Sequence, residues 1–276
     1  GDTRRVLVIG QGTAAVAGEA LGVFLRSACA TTPLLVEALP ATELSGFGLA
    51  HKMDDTLVIA ISQSGTTTDT NRTVDLVRER GASVVAIVNR RGSDLTDKSD
   101  GVFYTSDGRD VEMSVASTKA FYSQVAAGFL LAQAIAAEVG GTVDQALLAA
   151  LRDLPTAMAE VVARRPTIAE AAHALAPPKR YWAVVGNGVN LIAAAEVRIK
   201  LSELCYKSIA CDVTEDKKHI DLSSEPLIIV CAAGLSGSTA DDVAKEVAIY
   251  RAHKAAPIVI ATEGEGRFGS ALAVIN

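Results

Sequence analysis

Five stretches of the sequence combine residue types that can do chemistry. Ser62-Gln63-Ser64-Gly65-Thr66-Thr67-Thr68-Asp69 places hydroxyls at 62, 64, 66, 67 and 68 directly before a helical pattern. Hydroxyls and free backbone N–H groups at a helix N-terminus make an anion site. Gly65 permits close backbone approach, and Thr66 with Asp69 has the spacing of a capping box. An ordinary polar strand-to-helix turn is the plainer alternative, although capping needs fewer hydroxyls. No Walker lysine is present, which disfavours a nucleoside triphosphate. A second loop, Ser114-Val115-Ala116-Ser117-Thr118-Lys119, opens a long helical pattern and could close over the same ligand, or simply cap that helix.

Gly10-Gln11-Gly12-Thr13-Ala14-Ala15 fits the looser G-x-G-x-x-A dinucleotide fingerprint, with Glu37 near the place of a ribose-binding acid. That reading leaves the hydroxyl loop without a role. Glu196, Lys200, Glu203 and Lys207 recur at steps of four, three and four, which predicts one stripe of a helix. They read either as a solvated, ion-paired face or as acid–base machinery. Lys200 and Glu203 project to one side, so a carboxylate that moves a proton would have a cation beside it. His219 lies in the charged run Asp216-Lys217-Lys218-His219-Ile220-Asp221, which reads as an exposed loop.

These residues need elements to hold them. Short apolar runs at Val6–Ile9, Leu34–Val36, Leu57–Ile61 and Val84–Val88 predict strands buried on both faces, as in parallel sheets. Helical patterns alternate with them at Ala14–Ser27 and Asp69–Arg80, the latter closed by Gly81. The pattern then recurs. Tyr181–Val185 with Gly186-Asn187-Gly188 echoes the first strand and its glycine loop. Leu227–Cys231 and Ile258–Ala261 echo the third and fourth strands. The fold class is therefore α/β, with two tandem doubly wound, mainly parallel sheets flanked by helices. The first domain is placed at 1–150. A helical connector and the second domain are placed at 151–276. Helices are predicted at Thr118–Glu138 and Val143–Ala174, with Pro177-Pro178 after them.

Composition limits the functions. The chain has 276 residues, 26 basic and 32 acidic, for a net charge of −6. No basic field exists to attract nucleic acid or anionic lipid. Mean hydropathy is +0.28, but the longest uncharged stretch, Ala120–Ala137, is interrupted by Tyr122, Ser123, Gln124 and Gln133, so a buried helix is expected rather than a membrane span. Cys29, Cys205, Cys211 and Cys231 lack metal or disulfide spacing and read as reduced packing residues. The histidines His51, His173, His219 and His253 have no ligand-like spacing either, so no metal and no cofactor is expected. A cytoplasmic location fits.

Ser62–Thr70, Val115–Phe121 and Glu196–Tyr206 together resemble the isomerase half of glutamine–fructose-6-phosphate aminotransferase, which consists of two tandem sugar isomerase (SIS) domains. The resemblance covers nearly the whole chain. It implies a phosphorylated sugar substrate, with Ser62, Gln63, Ser64 and Thr67 on the phosphate and Gly12, Thr13, Val115 and Ser117 on the sugar. It also implies Glu203 as the proton-transferring carboxylate, Lys200 as the active-site lysine, and His219 as a ring-opening histidine donated across a homodimer. The chain departs from the family in three places. Gly and Pro are missing around His219, Ala14 replaces a serine, and Ser114 replaces a glycine. No cysteine glutaminase domain precedes Gly1, so ammonia is expected from a separate glutaminase domain or subunit, or not at all. The family's last strand, helix and lysine-bearing tail would follow Asn276, so the second domain reads as truncated. Deaminase relatives and a non-catalytic sugar-phosphate or nucleotide-sugar sensor are the alternatives.

Overall fold

The computed structural model describes residues 3–107, 112–219 and 222–276. Contacts cluster into two units, residues 1–152 and 153–276. In the first, β1 (Arg5–Gly10), α1 (Thr13–Ala28), β2 (Leu35–Pro40), the short α2 (Ala41–Glu43) and β3 (Thr56–Ser62) are followed by α3 (Thr68–Arg78). Then come β4 (Ser83–Val88), α4 (Asp94–Lys98), β5 (Gly101–Tyr104) and α5 (Lys119–Val139). The strands form one parallel sheet in the order β2-β1-β3-β4-β5. Alternate residues of each strand face opposite sides, and both sides are apolar. Leu7, Ile9, Val58, Ala60, Val84 and Ala86 pack with Val74 and Val77 of α3. Val6, Val8, Ile59, Ile61 and Ile87 pack with Leu21 and Leu25 of α1 and Ala127 and Ala132 of α5.

Helix α5 has the length and hydropathy to cross a bilayer. It packs on α1 instead. Gly128 lets Leu21 approach, a Cβ there meeting the Leu21 Cβ at 3.2 Å, and Phe24 meets Phe129 edge-on with centroids 5.2 Å apart. Leu21 faces Gly128 while Ala28 clusters with Ala136. The two helices thus run side by side in the same direction, and their N-termini share the carboxyl edge of the sheet.

The connector forms two helices, α6 (Gln145–Ala163) and α7 (Arg165–Leu175), where the sequence predicted one from 143 to 174. The break falls at Arg164, whose backbone leaves the helical region (φ −80°, ψ 3°), with Pro166 in the next first turn. Pro lacks the N–H that a continuous helix would need there.

The second unit repeats the plan: β6 (Trp182–Gly186), α8 (Val189–Cys205), β7 (Ala210–Asp212), α9 (Thr214–His219), β8 (Leu227–Cys231), α10 (Gly237–Ala252), β9 (Ala256–Ile260) and β10 (Ala273–Ile275). Its sheet is also parallel, in the order β10-β9-β8-β6-β7. Read from β7, that is the strand order of the first sheet. The predicted doubly wound α/β duplication is therefore present.

Two details correct the sequence reading. The run before His219 is helical, as α9, and not a loop; Ile220 and Asp221 lie outside the described residues. Cys205 is exposed at the end of α8 and is not a packing residue, unlike the buried Cys29 and Cys231.

Candidate functional site

In a sheet ordered 2-1-3-4-5, the chain leaves β1 and β3 toward opposite faces, and the gap between their carboxyl ends is where ligands bind. The loops flanking this gap in the first unit are Gly10–Thr13 and Ser62–Thr67. Gly10 must be glycine, because a Cβ would lie 2.7 Å from the Ala14 carbonyl carbon. Gly12 is the N-cap of α1 at φ 56°, ψ −127°, a conformation that suits glycine.

The hydroxyl loop is held from within. Ser62 Oγ accepts the Gly65 N–H at 2.9 Å and lies 3.4 Å from Thr67 Oγ1. Ser64 Oγ accepts the Thr66 N–H at 3.2 Å and pairs with the Thr66 hydroxyl at 3.0 Å. Asn71 Nδ2 donates to the carbonyls of Gly65 and Thr67, each at 3.1 Å. Gly65 sits at φ 68°, and a Cβ would meet Ser93 Oγ at 2.0 Å.

The expected Thr66–Asp69 capping box does not form. Thr67 is the N-cap of α3, and no side chain caps that helix. The reason is local: the Thr66 hydroxyl is already engaged by Ser64. Ser93 and Thr96 form a capping box at α4 instead. Among the described residues no side chain accepts from the first N–H groups of α3, the condition that favours an anion.

The other loop reaches the same edge. Glu112 contacts the loops after β4 and β3: its N–H donates to Asn89 Oδ1 at 3.3 Å, and Gln63 Nε2 donates to its carbonyl. The chain then enters α5 beside α1. This path brings Ser117 to the edge that carries Gly12 and Thr13. Ser117 Oγ is buried and makes no hydrogen bond, and Val115 is fully exposed at the loop tip. Glu112 was not singled out in the sequence; it stands six residues before the N-cap Thr118 of α5, outside any familiar capping spacing.

In the second unit, Lys200 Nζ lies 2.7 Å from Glu203 Oε2 and 3.7 Å from Glu196 Oε1. The three form the expected stripe on α8. Lys207 does not belong to it, because the helix ends at Cys205 and Tyr206 turns left-handed at φ 52°. Lys207 instead donates to the Arg180 carbonyl at 3.2 Å and lies over the Trp182 ring. The Glu203 side chain is 39% exposed and that of Lys200 17%, so the carboxylate is accessible while its cation is half-buried. His219 closes α9, exposed, with Nε2 3.0 Å from Glu215 Oε1 one turn earlier. Its side chain makes no hydrogen bond or ion pair to Lys200 or Glu203. The His219 bond and the Lys218 ammonium hold the Glu215 carboxyl below the usual range.

Glu37 corrects the dinucleotide reading. It pairs with Leu7 in the middle of β2, short of the carboxyl end where a ribose-binding acid would stand. Among the described residues no cluster of three or more His, Cys, Asp or Glu could hold a metal.

Residues 2–134 match the model of the SIS domain family. This chain carries a SIS domain. The chain is also 31% identical over 277 residues to the isomerizing glutamine–fructose-6-phosphate aminotransferase of Corynebacterium efficiens, covering 95% of this chain and 42% of that protein. It thus spans well under half the length of that relative. Among solved structures, the C-terminal domain of glucosamine-fructose-6-phosphate aminotransferase from Francisella tularensis superposes with a TM-score of 0.83 at 22% identity, over 100% of this chain and 78% of that one. Glucosamine-6-phosphate deaminase from Thermotoga maritima gives 0.71 at 16%, over 98% and 79%. The resemblance to the isomerase half of the aminotransferase thus extends along the chain, and both solved structures share its α/β fold. Within the SIS domain, the Gly10–Thr13, Ser62–Thr67 and Ser117 segments lie on the carboxyl edge of the sheet.

Proposed function

We propose that this chain is a phosphosugar isomerase of the glucosamine-6-phosphate synthase type, interconverting fructose 6-phosphate and an aldose or amino-sugar 6-phosphate. The observation that carries this reading is the hydroxyl loop with an uncapped α3 N-terminus at the β1/β3 gap. In it, Ser62, Gln63, Ser64 and Thr67 hold the phosphate with the α3 N–H groups. Gly12, Thr13, Val115 and Ser117 border the sugar. Glu203 removes the proton from one of C1 and C2 and returns it to the other, and Lys200 balances the charge that develops on the enediolate oxygen. His219 opens the ring, as the aminotransferase resemblance suggests, in a homodimer. The same resemblance supports a glutaminase domain or subunit as the source of ammonia. The division into domains at 1–150 and 151–276 belongs to this reading.

The exposed His219, bonded to Glu215 on its own helix, favours a second reading: a non-catalytic sugar-phosphate or nucleotide-sugar sensor. An amino-sugar-phosphate deaminase uses the same proton transfer with ammonia release. Proton exchange at C1 or C2 of hexose 6-phosphates in heavy water separates catalysis from sensing. Exchange by the wild type, lowered about 100-fold or more in Glu203→Gln, is the expected result. Ligand-induced stabilisation without exchange supports the sensor, and undiminished exchange in the variant removes Glu203 from the mechanism.

A further inference from the structure

Glu112 joins three segments of the first unit. Its N–H donates to Asn89 Oδ1, after β4, and its carbonyl accepts from Gln63 Nε2, after β3. Its carboxylate accepts the Thr118 N–H at 2.8 Å, the Thr118 hydroxyl at 2.6 Å and the Ala120 N–H at 2.9 Å. Thr118 itself supplies no side-chain cap to α5, so the carboxylate of Glu112 fills that role. Burial alone would raise the Glu112 pKa, but the bonds from Thr118 and Ala120 and the nearby Lys119 outweigh it and hold it below the usual range. The group is therefore an anion at neutral pH, seated on the positive end of a 21-residue helix.

Two consequences follow. The α5 N-terminus is closed to a ligand anion, because the protein's own carboxylate occupies it, whereas the α3 N-terminus has no such occupant. Residues 113–117 are also a short bridge fixed at both ends, at Glu112 and at Thr118. Their reach toward the gap is set by where the Glu112 carboxylate sits.

We propose that Glu112 is a positioning residue that holds the 113–117 loop, with Ser117 and Val115, in register with the hydroxyl loop, so that sugar and phosphate are gripped together. The proposal rests on the reading of the gap as a sugar-phosphate site. It differs from a general stabilising role, which would act on the whole ligand.

The test compares wild type, Glu112→Gln and Thr118→Val by calorimetric titration with fructose 6-phosphate and, separately, inorganic phosphate. In Glu112→Gln the amide nitrogen would face the Ala120 N–H. Thr118→Val removes the 2.6 Å bond from the other side and covers the case in which Glu112→Gln fails to fold. Each variant should weaken fructose 6-phosphate about 10-fold while changing inorganic phosphate less than about 2-fold, the scale of one charge-assisted bond. Equal weakening of both ligands, or of neither, overturns the proposal. Amide hydrogen exchange of the free proteins separates the two readings. If the wild type binds neither ligand, the sugar-phosphate reading fails. Exchange at residues 113–117 should then still rise about 10-fold in the variants, with residues 66–69 unchanged. Unchanged exchange at 113–117 removes Glu112 as their anchor.

Discussion

The glycine turns of the two units have the same backbone and opposite uses. Gly12 and Gly188 cap α1 and α8 at φ 56° in both, with ψ −127° and −128°. Gly10 and Gly186 are each crowded by the helix residue four positions on. The next side chains differ. At the fifth position of the turn the first unit has Ala14 and the second Asn190, whose Nδ2 donates to the Ala233 carbonyl at 2.9 Å. That bond ties the first turn of α8 to the loop after β8. Asn187 is likewise committed, bonding Thr214 through both amide atoms at 2.7 and 3.1 Å.

The loops after β3 and β8 diverge in the same sense. Ser62-Gln63-Ser64-Gly65-Thr66-Thr67 corresponds in the repeat to Ala232-Ala233-Gly234-Leu235-Ser236-Gly237. In the first, the N–H of the loop glycine is satisfied by Ser62 from within. In the second, Gly234 N–H reaches Thr262 Oγ1 at 2.8 Å. A duplicated backbone thus carries a hydroxyl loop at one gap and amide ties, Asn190 to Ala233 and Asn187 to Thr214, at the other. The Glu196–Lys200–Glu203 stripe of the second unit lies along α8. Duplication preserves the turns because crowding fixes Gly10 and Gly186 and a positive φ favours glycine at 12 and 188, while the polar residues are free to specialise.

Exchanging the distinguishing residues breaks this comparison. The largest effect is expected for Ala14→Asn, which imports the second unit's tie into the first gap. It should weaken fructose 6-phosphate about 10-fold or more in titration with little loss of stability, since a new amide bond is worth about 1 kcal/mol. Unchanged affinity would show that this gap does not hold the ligand. Asn190→Ala is next. It should lower stability by about 1 kcal/mol in denaturant unfolding and leave affinity intact; weakened binding would show that the second gap takes part.

The smallest effect is at the sheet edge. Asp100 Oδ2 accepts the Val84 N–H at 2.7 Å, and Oδ1 meets Arg78 at 2.7 Å. At the matching place of the second sheet stand Pro257, which has no N–H, and Leu272, whose own N–H reaches the Pro257 carbonyl at 2.9 Å. The Val84 bond and then Arg78 hold the Asp100 pKa below the usual carboxylate value. A lowered folded-state pKa adds stability above the unfolded value, lost as pH falls through the folded one. Asp100→Asn should cost only a few tenths of a kcal/mol at pH 7, because the pair is half-exposed and screened. The difference should shrink as pH falls below the ordinary carboxylate value and vanish once Asp100 is protonated in the folded state; a difference that persists there would assign the role to something other than charge.

Much of this was legible in the sequence. The strands announced themselves as apolar runs because both faces of each sheet are covered, and the hydroxyl loop stood out because it exceeds what capping needs. The Glu196–Lys200–Glu203 stripe followed from helical spacing. What escaped has physical causes. Helix α9 carries charges without an apolar period, since Asn187 and the Tyr250 hydroxyl on the Thr214 carbonyl hold it rather than a buried stripe. Lys207 left the stripe because a left-handed Tyr206 ended the helix at Cys205, two residues before it. Glu112 acts on a helix it does not belong to, through folding of the intervening loop, and no local spacing encodes that.

The central claim is that the first gap, and not its twin, binds the sugar phosphate. Backbone amide chemical shifts during titration with fructose 6-phosphate test it directly, residue by residue. Saturable shifts across residues 64–69 and at 12–13, with residues 234–239 and 187–190 unmoved, are the result predicted. Comparable shifts at the second gap, or none at 64–69 in the presence of excess ligand, would contradict it.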